Sequence, residues 1–215
     1  MDKTIGIFAG HTPKTPGAKI DFLNSEYYYT NIVRNAAIEE IKNKNMHNVI
    51  TYNAEKDETS DQALIKKHAK ILEHESIINV EIHFNSTPPG QRKGDYSSVF
   101  YQENIVLMRQ LALDFQHDLG LHARRFKHNR TKIYSLPDDD FGHKYFVEDI
   151  GGIIVEPLFL DNKNSGAFFR NGDNLKILGK IIGNTIYKFY HDNFSPWKSD
   201  FRSQGRREAQ TERGI

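Results

Sequence analysis

Residues 77–85 read IINVEIHFN. The run is short, rich in Ile and Val, and bounded downstream by the Pro-Gly loop STPPGQRKGD, which marks it as a strand. His83 interrupts it where the pattern asks for another Val or Ile, and Asn85 follows two residues later. A lone histidine in such a place is ordinarily a core residue satisfied by one backbone hydrogen bond. A functional reading therefore needs partners from elsewhere in the chain.

The elements on either side of this strand decide the fold. Upstream lie a strand at KTIGIFAG (3–10), a Pro/Gly loop over 11–23, a helix within 24–45, a strand at NVITYN (48–53) and a helix over 60–76 capped by Ser60. The first helix keeps Tyr29, Ile32, Val33, Ala36, Ala37 and Ile41 at helical spacing. Downstream, YSSVFYQ (96–102) reads as a strand and 103–120 as a helix stopped by Gly120. A short strand at TKIYS and a long loop around LPDDDFGHKYF come next. GGIIVEPLFL (151–160) is apolar enough for a strand covered on both faces, and a last helix spans 174–193. Strands alternating with helices predict a single α/β domain, residues 1–194, with a mostly parallel sheet. Residues 195–215 are polar, charge-mixed and without apolar period, and read as a loosely ordered tail.

Composition narrows the function. The 215 residues carry a net charge of +1, which argues against a nucleic-acid partner or an anionic membrane surface. No apolar stretch reaches the ~18 residues that a membrane span needs. The start, MDKTIGIFAG, reads as a first strand rather than a signal peptide. With no cysteine in the chain, thiolate nucleophiles, disulfides and Cys-ligated metals are excluded, so any metal must be held by His, Asp or Glu.

In an α/β sheet, ligands sit at the carboxyl ends of the strands. His11 falls just past the first strand, His83 at the end of the third and Glu156 near the end of the last; Glu26 opens the helix that leads back from the first. The four groups can converge on one rim. Two imidazoles and a carboxylate around an open position make a common catalytic zinc sphere, and a further carboxylate can move protons. The set fits three ligands and one base.

The segments that carry these residues, IFAGHTPKTPGA, NSEYYYTNIVRNAAIEEI, EIHFNS, KGDYSSVFY and IIVEPLFLDN, resemble in order and spacing the zinc-dependent N-acetylmuramoyl-L-alanine amidases. Those enzymes cut the amide between the lactyl group of muramic acid and the first L-alanine of the peptidoglycan stem peptide. The resemblance implies a twisted sheet of about six strands flanked by helices. It implies one zinc ion held by His11, Glu26 and His83, with Glu156 as catalytic base, and Asn85 and Asn162 as residues lining the substrate cleft. Peptidoglycan is then the substrate partner and a monomer the favoured state. Synthesis in the cytoplasm with action on the wall after release, as in phage-type lysis, is the expected localisation. A zinc peptidase acting on stem peptides and a non-catalytic wall-binding protein of the same fold are the alternatives.

Three departures from the family pattern stand out. Thr12 replaces a glycine after the first zinc histidine. Glu81 replaces a small residue and lies on the same side of its strand as His83, where it is either a rival ligand or the partner of a Lys or Arg. The stretch IYSLPDDDFGHKYF lacks the Leu-Arg pair found before the last strand. Four further signals read as bland: the acidic run 138–140 with His143 and Glu148, and the basic run 122–130, as solvated surface; YYY (27–29) and GAFFRNG (166–172) as packing.

Overall fold

Period-two alternation sorts the strand side chains onto two faces. In β1 (Ile5–Ala9) and β3 (Ile78–Ile82), Ile5, Ile7, Ile78, Val80 and Ile82 enter one apolar cluster, while Phe8 enters a second cluster on the opposite face. β6 (Ile153–Glu156) does the same, with Ile153 and Val155 on the first face and Ile154 on the second. Strands buried on both faces need helices on both sides. The structure, a computed structural model, describes residues 3–19, 24–87, 94, 96–122, 130–135, 141–162, 166 and 168–194.

The sheet has six strands in the order β2 (Val49–Ile50), β1, β3, β6, β4 (Tyr96–Tyr101) and β5 (Arg130–Ser135). β6 runs antiparallel to β4, and the other pairings are parallel. α1 (Glu26–Lys42), α3 (Val106–Leu121) and the final helix, α5 (Gly172–Phe194), cover the larger core, where Val33, Ala37 and Ile41 join Leu178, Ile182 and Ile186. α2 (Ser60–Glu73) covers the other face through Leu64 and Ile71. This is the single-domain, mostly parallel α/β architecture expected from the pattern.

The differences are local. The cap of α2 is Thr59 rather than Ser60, because a Thr-x-x-Gln capping box forms with Gln62. The strand expected over 48–53 is two residues long, and the helix expected from 103 starts at Val106. The apolar run 151–160 is a strand only to Glu156, since Pro157 has no N–H for the ladder; pairing returns as a single bridge between Asn85 and Phe159. The largest revision concerns the expected loop before that strand. There, α4 (Phe141–Lys144) runs into a π-helical turn at Tyr145–Asp149. Phe146 and Val147 are fully buried in the second core, with the Phe146 ring edge-on to Phe8 at 6.2 Å. Two buried residues anchor the segment, too few to give a readable period.

The acidic run 138–140, the body of the basic run and the tail from 195 lie outside the described residues. Among the described residues, no helix is long and apolar enough to cross a membrane.

Candidate metal centre and its cleft

On β3 the positions that alternate with the core residues are Asn79 and Glu81, and His83 follows on the same side, facing α2. His83 donates its backbone N–H to Val155 O at 3.0 Å, so its strand stays paired with β6 up to the histidine. On β1, Gly10 N–H reaches Ile82 O at 2.8 Å, and the chain then turns at His11 with φ of 62°. Histidine is one of the few residue types that tolerate this left-handed conformation. The turn brings the His11 ring to 4.9 Å from the His83 ring, centroid to centroid.

Thr12 explains its own presence. It is fully buried; its hydroxyl donates to Glu58 O at 2.5 Å, pairs with Thr15 Oγ1 at 2.8 Å and accepts the Thr15 N–H at 3.0 Å. Thr15 in turn meets Ser60 Oγ at 2.6 Å. Where a glycine would leave the loop free, these hydroxyls tie the segment after His11 to the start of α2.

Glu26 is the first residue of α1, where a carboxylate is favoured by the helix dipole. It is 3% exposed. Its Oε2 accepts the Ala18 N–H at 3.1 Å and its Oε1 the Phe84 N–H at 2.8 Å, so its orientation is set by backbone from two segments. Gly17, with φ of 71°, leaves room for this: a Cβ there would lie 2.5 Å from His11 Cδ2 and 2.6 Å from Glu26 Oε2.

The three side chains meet. His11 Nε2 is 3.0 Å from Glu26 Oε2, and His83 Nδ1 is 3.2 Å from Glu26 Oε1. One donor atom from each residue falls in a group spanning no more than 4.8 Å, and Glu81 is not part of it. Two ligands of one tetrahedral zinc ion stand about 3.3 Å apart, given bond lengths of about 2.0–2.1 Å. The two imidazole nitrogens lie 3.0 and 3.2 Å from different oxygens of Glu26, and the donor set suits zinc without thiolate. The His11 side chain is 27% exposed, which leaves the centre open on the cleft side.

Charge makes the same case. Burial alone would raise the Glu26 pKa, but hydrogen bonds from His11 and His83 hold it well below the usual carboxylate range. Burial alone would disfavour a protonated His83, yet its contacts with Glu26 and Glu81 push its pKa up to about 10. The carboxylates on either side of the His83 ring favour positive charge at this point.

Glu81 takes the structural alternative. It is 4% exposed and forms a buried ion pair with Lys67 of α2. Burial would raise its pKa, and the Lys67 ammonium together with His83 brings it below the ordinary range.

The centre opens into a cleft of about 430 Å³ whose lining includes Glu156, Asn85, Ser86 and Ser60. Glu156, 6% exposed, ends β6 on the face of the metal group. Asn85 is at the cleft with its side-chain amide donating to Ser98 Oγ at 3.0 Å. Asn162 is not among the described lining residues; its amide donates to Gly94 O. His143, which reads in the sequence as solvated surface, lines the cleft instead. Its Nε2 is 3.7 Å from Glu156 Oε1, its ring stacks on Phe100 at 5.6 Å and stands edge-on to His83 at 5.1 Å. In sequence His143 and Glu148 stand at nearly helical spacing, but Glu148 contacts Lys144 at 3.8 Å.

Several solved structures share this fold. Cwp6 from Clostridium difficile superposes with a TM-score of 0.73 at 22% identity, over 88% of this chain and 29% of that one, so the chain spans less than a third of Cwp6. The CwlD amidase from Clostridioides difficile, solved in complex with the GerS lipoprotein, gives 0.69 at 21% identity, covering 89% of this chain and all 100% of that one. The catalytic domain of an endolysin targeting Clostridia difficile gives 0.61 at 20% identity, over 88% and 97%. Comparison with curated proteins finds no match. A family model described as N-acetylmuramoyl-L-alanine amidase matches residues 5–188, a span that contains the whole His–Glu–His group and Glu156, and the chain therefore belongs to the N-acetylmuramoyl-L-alanine amidase family.

Proposed function

We propose that the protein hydrolyses the amide between the lactyl carbonyl of N-acetylmuramic acid and the L-alanine of the peptidoglycan stem peptide, using one zinc ion held by His11, Glu26 and His83. The observation that carries the reading is the convergence of these three donors, within 4.8 Å of one another, at the mouth of a cleft that also holds Glu156. The family supports amide hydrolysis. Zinc and the particular bond are our reading.

A zinc ion held by His11, Glu26 and His83 would supply Lewis acidity, for the carbonyl and for water, at neutral pH. The protein does the rest. The Glu156 carboxylate accepts a proton from the attacking water and returns it to the alanine nitrogen as the C–N bond breaks. The products are a free lactyl carboxylate and a stem peptide with a free amino terminus. Glu26 does not serve as that base on this reading, because its oxygens accept the Ala18 and Phe84 N–H groups and its carboxylate is committed to the metal. Asn85 and Ser86 line the cleft beside His83 and offer polar contacts to a peptide backbone. The enzyme would meet this substrate at the cell wall, after release from the cytoplasm.

Metal analysis and mass spectrometry of digested peptidoglycan test the proposal together. Free stem peptides beside intact glycan strands, abolished by a chelator and restored by zinc, are expected. Shortened stem peptides would identify a peptidase instead, and full activity without metal would sink the zinc reading.

A further inference from the structure

Lys67 and Glu81 form a buried ion pair that the proposed chemistry does not use. Both are 3–4% exposed. Enclosing two charges costs desolvation, and a packed apolar pair in the same place is commonly as stable or more so. The pair also sits directly behind the metal group. Glu81 Oε2 is 3.6 Å from His83 Nε2, while the other ring nitrogen, Nδ1, faces Glu26. Each nitrogen of His83 therefore looks at a carboxylate: one belongs to the metal group, and the other is anchored by Lys67. The 3.6 Å spacing is an ion-pair distance, a few tenths of an ångström beyond a hydrogen bond. Lys67 Nζ makes a second bond, to Ala9 O at 2.8 Å, two residues before His11. One ammonium thus joins the strand end that carries His11 to the carboxylate behind His83.

We propose that Glu81, fixed by Lys67, is a positioning residue for the metal centre: it accepts the Nε2 proton of His83 and so commits Nδ1 to the metal. This rests on the reading of His11, Glu26 and His83 as the metal ligands. Partners of this kind fix the tautomer and orientation of a ligating histidine, and their loss commonly weakens metal binding by about 10- to 100-fold. The pair then earns its burial through the geometry of the site rather than through stability.

The decisive variant is the double substitution Lys67→Met with Glu81→Leu, which removes both charges and leaves neither stranded. Three quantities are measured: melting temperature of metal-free protein, zinc affinity by competition with a chromophoric chelator, and the His83 tautomer in zinc-loaded protein by long-range nitrogen–proton NMR. The expected result is a double variant that still folds without metal, with zinc affinity lower by about 10- to 100-fold. Wild-type protein should carry its His83 proton on Nε2. A folded double variant with zinc affinity within twofold of wild type overturns the proposal while leaving the metal centre intact. So does a wild-type proton on Nδ1. Wild-type protein that takes up no zinc at all overturns the metal reading itself, a different failure. Should the double variant not fold, Glu81→Gln is judged by the same affinity and NMR criteria.

Discussion

Replacing Gly10 with alanine adds one methyl group, whose place is fixed by the backbone. It would lie 2.3 Å from Cε1, 2.4 Å from Nε2 and 2.5 Å from Nδ1 of His83, directly on the ring. Non-bonded carbon contacts rest at about 3.5–4.0 Å, so the imidazole must retreat by about 1 Å. It has little room to do so. The ring is flanked by Glu26 at Nδ1 and Glu81 at Nε2, with the His11 and His143 rings at 4.9 and 5.1 Å. Gly10 is not in the left-handed region, so the effect is steric alone. Overpacking of this kind costs about 1–3 kcal/mol of stability. A ligand displaced by about 1 Å should lower activity by about 100-fold.

Gly172→Ala makes the same chemical change at the first residue of α5, where no heavy atom lies within 4 Å, and it should be silent. The assay compares both variants for metal-free melting temperature, zinc content after gel filtration and release of stem peptides from peptidoglycan. If Gly10→Ala retains wild-type zinc and wild-type turnover, the His83 ring does not lie over Gly10, and the ligand geometry argued above is wrong.

Other consequences follow from the same site. Glu156→Gln should keep zinc and fold while losing about a hundred- to ten-thousand-fold in rate, whereas Glu26→Gln should lose zinc; an active, zinc-replete Glu156→Gln protein would place the base elsewhere. The His83 pKa of about 10 in the folded protein lies above the ordinary 6.5, so its contribution to stability is complete below pH 6.5 and is lost as pH rises towards 10. Glu26, held low, contributes above its ordinary 4.5 and fails only in strong acid. Metal-free protein should therefore melt at a lower temperature at pH 9 than at pH 6.5, while zinc loading, which displaces the His83 proton, should flatten that slope and release protons measurable by calorimetry in two buffers. Deleting the chain from Ser199 should leave folding and zinc uptake unchanged, since the family match ends at 188 and the segment is polar; loss of either would show that it packs on the domain.

The legible part of this protein was the part governed by period. The apolar run in 77–85 reflects a strand covered on both faces and the helical spacing in 26–41 one-sided burial, and the structure returns both. His11, Glu26 and His83 were legible because each falls at the end or start of such an element, where the α/β topology gathers residues from distant stretches. His143 and the π-helical turn were not, because two buried residues at 146 and 147 fix that segment and leave no repeat to read. The resemblance implies a cleft role for Asn162, and the structure shows its amide donating to Gly94 O.

Glu81 marks the boundary between these cases. On its strand it is a misfit, a carboxylate on a buried face, and a single misfit fits a metal ligand as well as a structural partner. The information that separates the two lay in α2. There Ala63, Leu64, Lys67 and Ile71 are the buried positions, and Lys67 is the one charge among them. A lysine on the apolar stripe of a helix and a glutamate on the strand face that the helix covers are opposite misfits on surfaces that must meet. Neither can be buried alone, so each predicts the other. His83 has no such counterpart on α2, and its misfit is resolved instead by Glu26 from across the sheet's rim. Pairing misfits by the elements that pack together thus sorts them: Glu81 goes to Lys67, His83 joins Glu26 and His11, and 3.6 Å separates the two groups.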